Sequence, residues 1–321
     1  MKVLVTGANG FIGRALCAHL RAAGTALRAA VRAVVPPLPA GERVPADYVA
    51  VGGISGETDW GAALDGVTHL VHLAGWAHDG GASRAEAERL SRTINVEGTA
   101  RLARQAAAAG VRRFVFLSSV KAAGERSGAL PLSESSPPVP EDPYGASKLA
   151  VERMLGDLAG GGMETVILRP PLVYGPGVRA NFLRLLRLVD RGVPMPLGSV
   201  RNMRSLVYLG NLVSAIEACL VSPAAAGQTF FVSDGEDVST PDLVRRIASA
   251  MGRPARLFPF PVRLLRLGFR LAGRAAEFGR LADSLAVDAT KIRAVLGWEP
   301  PFTLDQGLRD TVDRYHRAQK R

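Results

Sequence analysis

Cysteine is scarce. The 321 residues hold two, Cys17 and Cys219, each inside an apolar pattern of helical spacing. Thiols so placed read as buried and free, which excludes a disulfide framework and fits a reducing compartment, the cytoplasm. Long hydrophobic runs are missing too: none reaches the roughly 18 residues that span a bilayer. The start, Met1–Thr6, reads as a core strand rather than a charged-then-apolar leader. Aromatics make up 6% of the chain and lysine only five of forty basic residues. No module of interleaved aromatic and basic residues is present, so nucleic acid is not expected as a partner. No internal repeat appears, and no metal site is expected. What remains is a globular composition, 47% apolar, with a net charge of +11 carried by arginine. Such a surface attracts anions: nucleotide phosphates or acidic lipid. The length suits one large domain or two lobes.

The first half alternates strand-like and helix-like segments. Candidate strands are 2–6, 26–31, 48–51, 69–73, 114–118 and 165–169. Helices fall between them, including a long one over 84–109. Near-continuous apolar strands in that alternation mean a parallel, doubly wound α/β sheet. Ligands of such sheets bind at the strands' carboxyl ends. The first strand runs into Gly7-Ala8-Asn9-Gly10-Phe11-Ile12-Gly13 and then a helix. A GxxGxxG turn between strand and helix is a dinucleotide-phosphate cradle.

Tyr144 and Lys148 stand four apart in a helical pattern, on one face. The ammonium is expected to pull the phenol pKa down toward working pH. Ser119, at the end of the fifth strand, can hydrogen-bond a substrate oxygen beside them. With a nicotinamide nearby, the trio suits moving a proton and a hydride on a carbinol or ketone.

TGANGFIG, Asn95 in NVEGT, FVFLSS, PYGASK and RPPLVYGPG follow one another in order from Met1 to about Asp313. Together they resemble the extended short-chain dehydrogenases/reductases, and within them the nucleotide-sugar epimerases, reductases and dehydratases of the UDP-galactose 4-epimerase type. The resemblance implies a Rossmann-type sheet with a smaller, interleaved C-terminal substrate lobe. The cofactor domain would span 1–171 with returns near 204–223, and the lobe 172–203 and 224–313. It implies a homodimer built on a pair of helices. Catalysis would fall to Ser119, Tyr144 and Lys148. Cofactor contacts would come from Gly7, Asn9, Gly10, Phe11, Ile12, Gly13, Arg32, Leu73, Ala74, Gly75, Asn95, Ser118, Tyr144, Lys148 and Pro171. Substrate contacts would come from Asn181, Leu197, Arg204, Arg280 and Asp283. Lys121 is a further candidate, either for a sugar substituent or for an ion pair with Glu125 or Glu134.

Two features bear on the reaction. Arg32 ends the second strand, where a carboxylate would read the ribose 2′-hydroxyl of NAD and an arginine suits the 2′-phosphate of NADP. NADP is therefore expected, with NAD as the alternative. The dehydratases of the family carry an Asp-Glu pair after the catalytic hydroxyl, whereas Ser119 is followed by Val120 and Lys121. The leading expectation is NADP-dependent reduction of an NDP-4-keto-hexose for surface-polysaccharide sugars, on a UDP-linked substrate. The alternative is an NDP-sugar 4-epimerase with tightly bound NAD; a third is reduction of a non-nucleotide ketone. Finally, residues 258–274 are basic and amphipathic. They read first as a lobe helix packing its Leu/Phe face on the core, and second as a helix lying on an anionic membrane.

Overall fold

A computed structural model describes residues 1–33, 48–77, 82–158 and 162–319. The first part of the chain runs β1 (Lys2–Thr6), α1 (Phe11–Ala22), β2 (Ala26–Val31), β3 (Tyr48–Ala50), α2 (Gly61–Leu64) and β4 (His69–His72). It continues with α3 (Arg84–Leu90), α4 (Gly98–Ala108), β5 (Arg113–Leu117), α5 (Pro143–Asp157) and β6 (Glu164–Arg169). The second part runs β7 (Leu172–Tyr174), α6 (Ala180–Asp190), β8 (Arg204–Tyr208), α7 (Leu209–Val221), β9 (Thr229–Phe231) and β10 (Asp237–Val238). It closes with α8 (Thr240–Ala250), α9 (Val262–Leu271), α10 (Ala275–Ala282), α11 (Thr290–Leu296) and α12 (Leu304–Gln319).

Seven strands form one parallel sheet in the order β3-β2-β1-β4-β5-β6-β9. Its central strands are buried from both sides, so their middle residues are apolar without alternation, with polar groups at the strand ends. One face packs Leu16 and Leu20 of α1 and Leu212 and Ile216 of α7 against Val3, Val5 and Val115. The other packs Leu102 of α4 and Val151 and Leu155 of α5 against Leu4, Leu70 and Phe114. The order reverses at β1 and β4, which opens a crevice at the carboxyl ends. A smaller lobe has its own sheet, β10-β8-β7, and its own core of Phe182, Leu186, Leu206, Leu243, Ile247 and Leu308.

The lobes exchange chain differently from the expected division. α7 does return to the large sheet's face, but β8 before it pairs with β7 in the small sheet. β9, inside the stretch assigned to the lobe, is the seventh strand of the large sheet. Phe230, Phe231 and Val232 are fully buried there. A run this short carries too little periodicity to be told from lobe core. The long helix over 84–109 is also modified. Residues Ser91–Glu97 widen into a π-helix between α3 and α4. α9 departs furthest: none of its residues is fully buried, and while Val262 packs on the lobe core and Phe269 on Phe278, Leu264, Leu267 and Leu271 stay exposed. Both cysteines are free and buried. Among the described residues, no helix is long and apolar enough to cross a membrane.

Candidate active site

Arg32, Leu73 and Ser118 each directly follow a parallel strand, and Thr6 ends β1, so all four line one sheet edge. The Thr6 hydroxyl accepts from the Leu73 and Ala74 amides, each at 3.2 Å, and binds His72 Nδ1 at 2.7 Å. Its partner His72 is buried and neutral, with burial, aided by the nearby Lys148 charge, lowering its pKa to about 3. The Gly7–Gly13 turn feeds α1. A Cβ on Gly13 would stand 2.2 Å from the Gly7 carbonyl, so no larger residue permits this approach. Gly10 caps α1 without a side-chain hydrogen bond, and no acidic residue occupies the first turn. Ser83, Asp142 and Ser239 cap α3, α5 and α8 with their side chains. The α1 amide groups are thus left for another acceptor. Asn9 is exposed beside them, Phe11 and Ile12 half-buried.

α5 carries the proton-transfer pair. Asp142 caps it, accepting from the Gly145 amide at 2.7 Å, and Pro143 opens the first turn. Gly145 lets the helix close on the short turn Val120–Ala122: a Cβ there would lie 2.4 Å from the Lys121 carbonyl. This contact brings Tyr144 to Ser119, whose hydroxyl hydrogen-bonds the phenol. Lys148 is buried; its Nζ donates to the Leu117 carbonyl at 2.9 Å. It lies 4.6 Å from the centroid of the Phe116 ring and 5.7 Å from that of Tyr144.

The expected fall of the phenol pKa is not found. Burial and the Asp142 carboxylate push Tyr144 up to about 12, and the Ser119 hydrogen bond offsets only part of this. Burial brings Lys148 down to about 8, against a smaller opposing pull from Glu152. Desolvation thus overrides the i,i+4 ammonium–phenol argument.

Beneath the pair lies a buried network absent from the sequence reading. Arg169, at the end of β6, forms an ion pair with Glu152 of α5 at 2.5 Å. The Ser118 hydroxyl donates to the same carboxylate, so its side chain faces this network. Glu152 follows Lys148 by four residues, one turn along the same face, and that spacing was the available signal. Asn95 is likewise inward. From the π-helix its amide binds the Trp76 N–H at 2.7 Å, the Trp76 carbonyl at 3.0 Å and the Ser147 hydroxyl at 3.0 Å. It therefore stitches the loop after β4 to α5, using both amide hydrogens and one of the two acceptor sites of its oxygen. Gly75 is exposed, and a Cβ there would crowd Asn95 Oδ1 at 3.0 Å and touch Lys148 Nζ at 3.6 Å. Pro171 is buried just past β6.

Lys121 is committed to protein. Its ammonium meets Asp142 at 2.5 Å and Glu125 at 3.0 Å. Burial opposes its charge, but these two carboxylates outweigh it and raise the pKa. Glu134, the other candidate partner, instead accepts from the Phe231 amide at 2.8 Å. Of the remaining candidates, Arg204 and Asp283 do meet: Arg204 Nη1 donates to the Asp283 carbonyl at 3.0 Å. No carboxylate pairs with Arg204 among the described residues, and burial lowers its pKa. The Asp283 carboxylate pairs with Arg266 of α9 at 2.7 Å. Leu197 is buried in the lobe core. Asn181 and Arg280 are exposed on α6 and α10. No group of three or more His, Cys, Asp or Glu is placed to hold a metal among the described residues.

An uncapped α1 N-terminus behind a glycine turn, the exposed Gly75 and the Tyr144–Lys148 pair at one sheet edge define a nicotinamide-dinucleotide-dependent oxidoreductase of the short-chain type. The chain belongs to the NAD dependent epimerase/dehydratase family, whose model matches residues 3–232. It is 41% identical to a UDP-glucose 4-epimerase of Vibrio cholerae, covering 100% of this chain and 97% of that protein. It is 30% identical to a 3-beta-hydroxysteroid dehydrogenase of Mycolicibacterium neoaurum, covering 98% and 91%. Its fold is similar to that of MoeE5 in complex with UDP-glucuronic acid and NAD: TM-score 0.78, 27% identity, 99% and 100% coverage. The chain is an NAD(P)-dependent enzyme, an epimerase or a reductase.

Proposed function

We propose that the enzyme inverts C4 of a UDP-linked hexose, oxidising and re-reducing one carbon without net consumption of reductant. The observation that carries this reading is the full-length similarity to the Vibrio cholerae UDP-glucose 4-epimerase, laid over a site with a single proton-transfer pair. Water elimination needs further acid/base groups after Ser119. Val120 is buried there, and Lys121 is tied up with Asp142 and Glu125.

In this reading Tyr144 takes the C4 hydroxyl proton and returns it to the ketone oxygen, while Ser119 holds that oxygen. Gly7–Gly13 and Gly75 would hold the dinucleotide, which supplies a hydride acceptor, a hydride donor and, when oxidised, a positive charge. The phenol is protonated at neutral pH as the chain stands, which suits the acid half of the cycle. The base half needs positive charge near the ring, and Lys148 is the protein cation within reach. Arg204 is a cation available to a diphosphate: it makes no ion pair among the described residues, although the Asp283 carboxylate favours its charge from nearby. Asn181, Arg280, Asp283 and Leu197 would complete the nucleotide end.

Arg32 supports a second reading. It is exposed at the end of β2, where a 2′-phosphate would lie, and it favours NADP-dependent reduction of a 4-keto sugar. Incubation with UDP-glucose or UDP-N-acetylglucosamine and no added reductant separates the two. C4 inversion seen by NMR supports the epimerase. No inversion, with NADPH consumed on a 4-keto sugar, would overturn it in favour of the reductase.

A further inference from the structure

We infer that α9 docks the enzyme on an anionic lipid surface, a property independent of the C4 chemistry. α9 has two apolar stripes. Val262, Leu265 and Phe269 turn partly inward, with Phe269 against Phe278 of α10 at 5.3 Å between ring centroids. Leu264, Leu267 and Leu271 form the second stripe and face solvent, 56%, 52% and 80% exposed. Phe258 and Phe260, just before the helix, are exposed as well. Water-exposed leucines at helical spacing cost free energy in a protein that stays in solution. They are the penetrating face of a helix that lies in a bilayer interface.

Charge decides the occupant. The 34 residues between Asp242 and Glu277 hold eight arginines and no carboxylate. Arg266 and Arg274 are paired with Asp283 and Glu277. Arg263 and Arg270 have no ion-pair partner among the described residues and flank the exposed leucines. A second copy of the same surface would set arginine against arginine across a two-fold contact. Lipid phosphates present the complementary sign, and the chain's net +11 acts in the same direction. The backbone at the helix entrance is fixed: the Phe258 amide donates to Met195 O at 3.1 Å and its carbonyl accepts from Gly198 N at 3.0 Å. The face is thus held outward by the lobe.

Flotation of the full chain with phosphatidylcholine vesicles, with and without phosphatidylglycerol, tests this. Binding is expected only with phosphatidylglycerol, and is expected to weaken as salt rises. Leu264→Glu/Leu267→Glu and Arg263→Glu/Arg270→Glu should each lower the bound fraction roughly tenfold or more. Turnover on a soluble UDP-sugar and the circular dichroism spectrum should not change. Leu264→Ser/Leu267→Ser serves if the glutamates disturb folding. Three outcomes overturn the inference: no binding of the wild type to phosphatidylglycerol vesicles, equal binding of the leucine variants, or a leucine-dependent change of oligomeric mass without vesicle binding, which would assign the face to a second copy.

Discussion

Burial moves the two groups of the proton-transfer pair in opposite directions, Tyr144 up to about 12 and Lys148 down to about 8. Both shifts favour the neutral form, as desolvation does. Tyr144→Phe removes the exchangeable proton but leaves the ring, so turnover should fall by at least roughly 100-fold with the fold intact. Near-normal turnover would remove Tyr144 from the chemistry. Lys148 also makes a stability prediction. Its folded pKa is below its ordinary value of 10.5, so between about pH 8 and 10.5 the unfolded chain binds the extra proton. The cost is complete below that window and is relieved as pH rises through it. Lys148→Met should therefore be inactive yet more stable at neutral pH, by about 2 kcal/mol, with the gap closing toward pH 10.5. Thermal melts across that range measure it, and a destabilised variant at neutral pH would contradict the burial argument.

α5 joins these residues to the fold, and its placement rests on contacts at both ends. At the N-terminus, Gly145 fits under the Lys121 carbonyl. Gly145→Val should lift the helix and cut kcat by about 100-fold, since misplacing a reacting group by about 1 Å has that scale of effect. Steady-state kinetics checks this, and an unchanged kcat would show the contact to be dispensable. Further along, Glu152→Gln would leave Arg169 buried without its carboxylate. The expected loss is about 3–5 kcal/mol in a urea titration. The sequence made part of this legible. The Asp142-Pro143 start carries a helix-cap signal, and Tyr144, Lys148 and Glu152 share one face by spacing. The Arg169 partner was not legible, because it arrives from the end of β6 through the sheet. The π-helix was hidden for a related reason. Its residues read as ordinary helix, and the widening shows only in the tertiary contacts that Asn95 makes to Trp76 and Ser147.

At the scale of the whole molecule, the alternating strands, the glycine turn and the two-lobe plan were readable because the parallel sheet leaves its own apolar signature. β9 was not, since three residues from a distant part of the chain complete the sheet. α9 was only partly legible, with one side packed on the lobe as expected and the other exposed, because an amphipathic pattern states that a helix has an apolar face but not what covers all of it. Cofactor choice also acts at this scale, through Arg32 at the rim of the crevice. Arg32→Ala should raise the KM for NADP severalfold and leave that for NAD nearly unchanged if the guanidinium reads a 2′-phosphate. Equal effects on both would remove it from cofactor selection. The central claim is C4 inversion at a single proton-transfer site, and NMR of purified enzyme with UDP-glucose and no added reductant tests it most directly. The account predicts a steady approach to an equilibrium mixture of the two C4 epimers. A UDP-glucose spectrum that never changes, in enzyme that consumes NADPH on a 4-keto sugar, would contradict it.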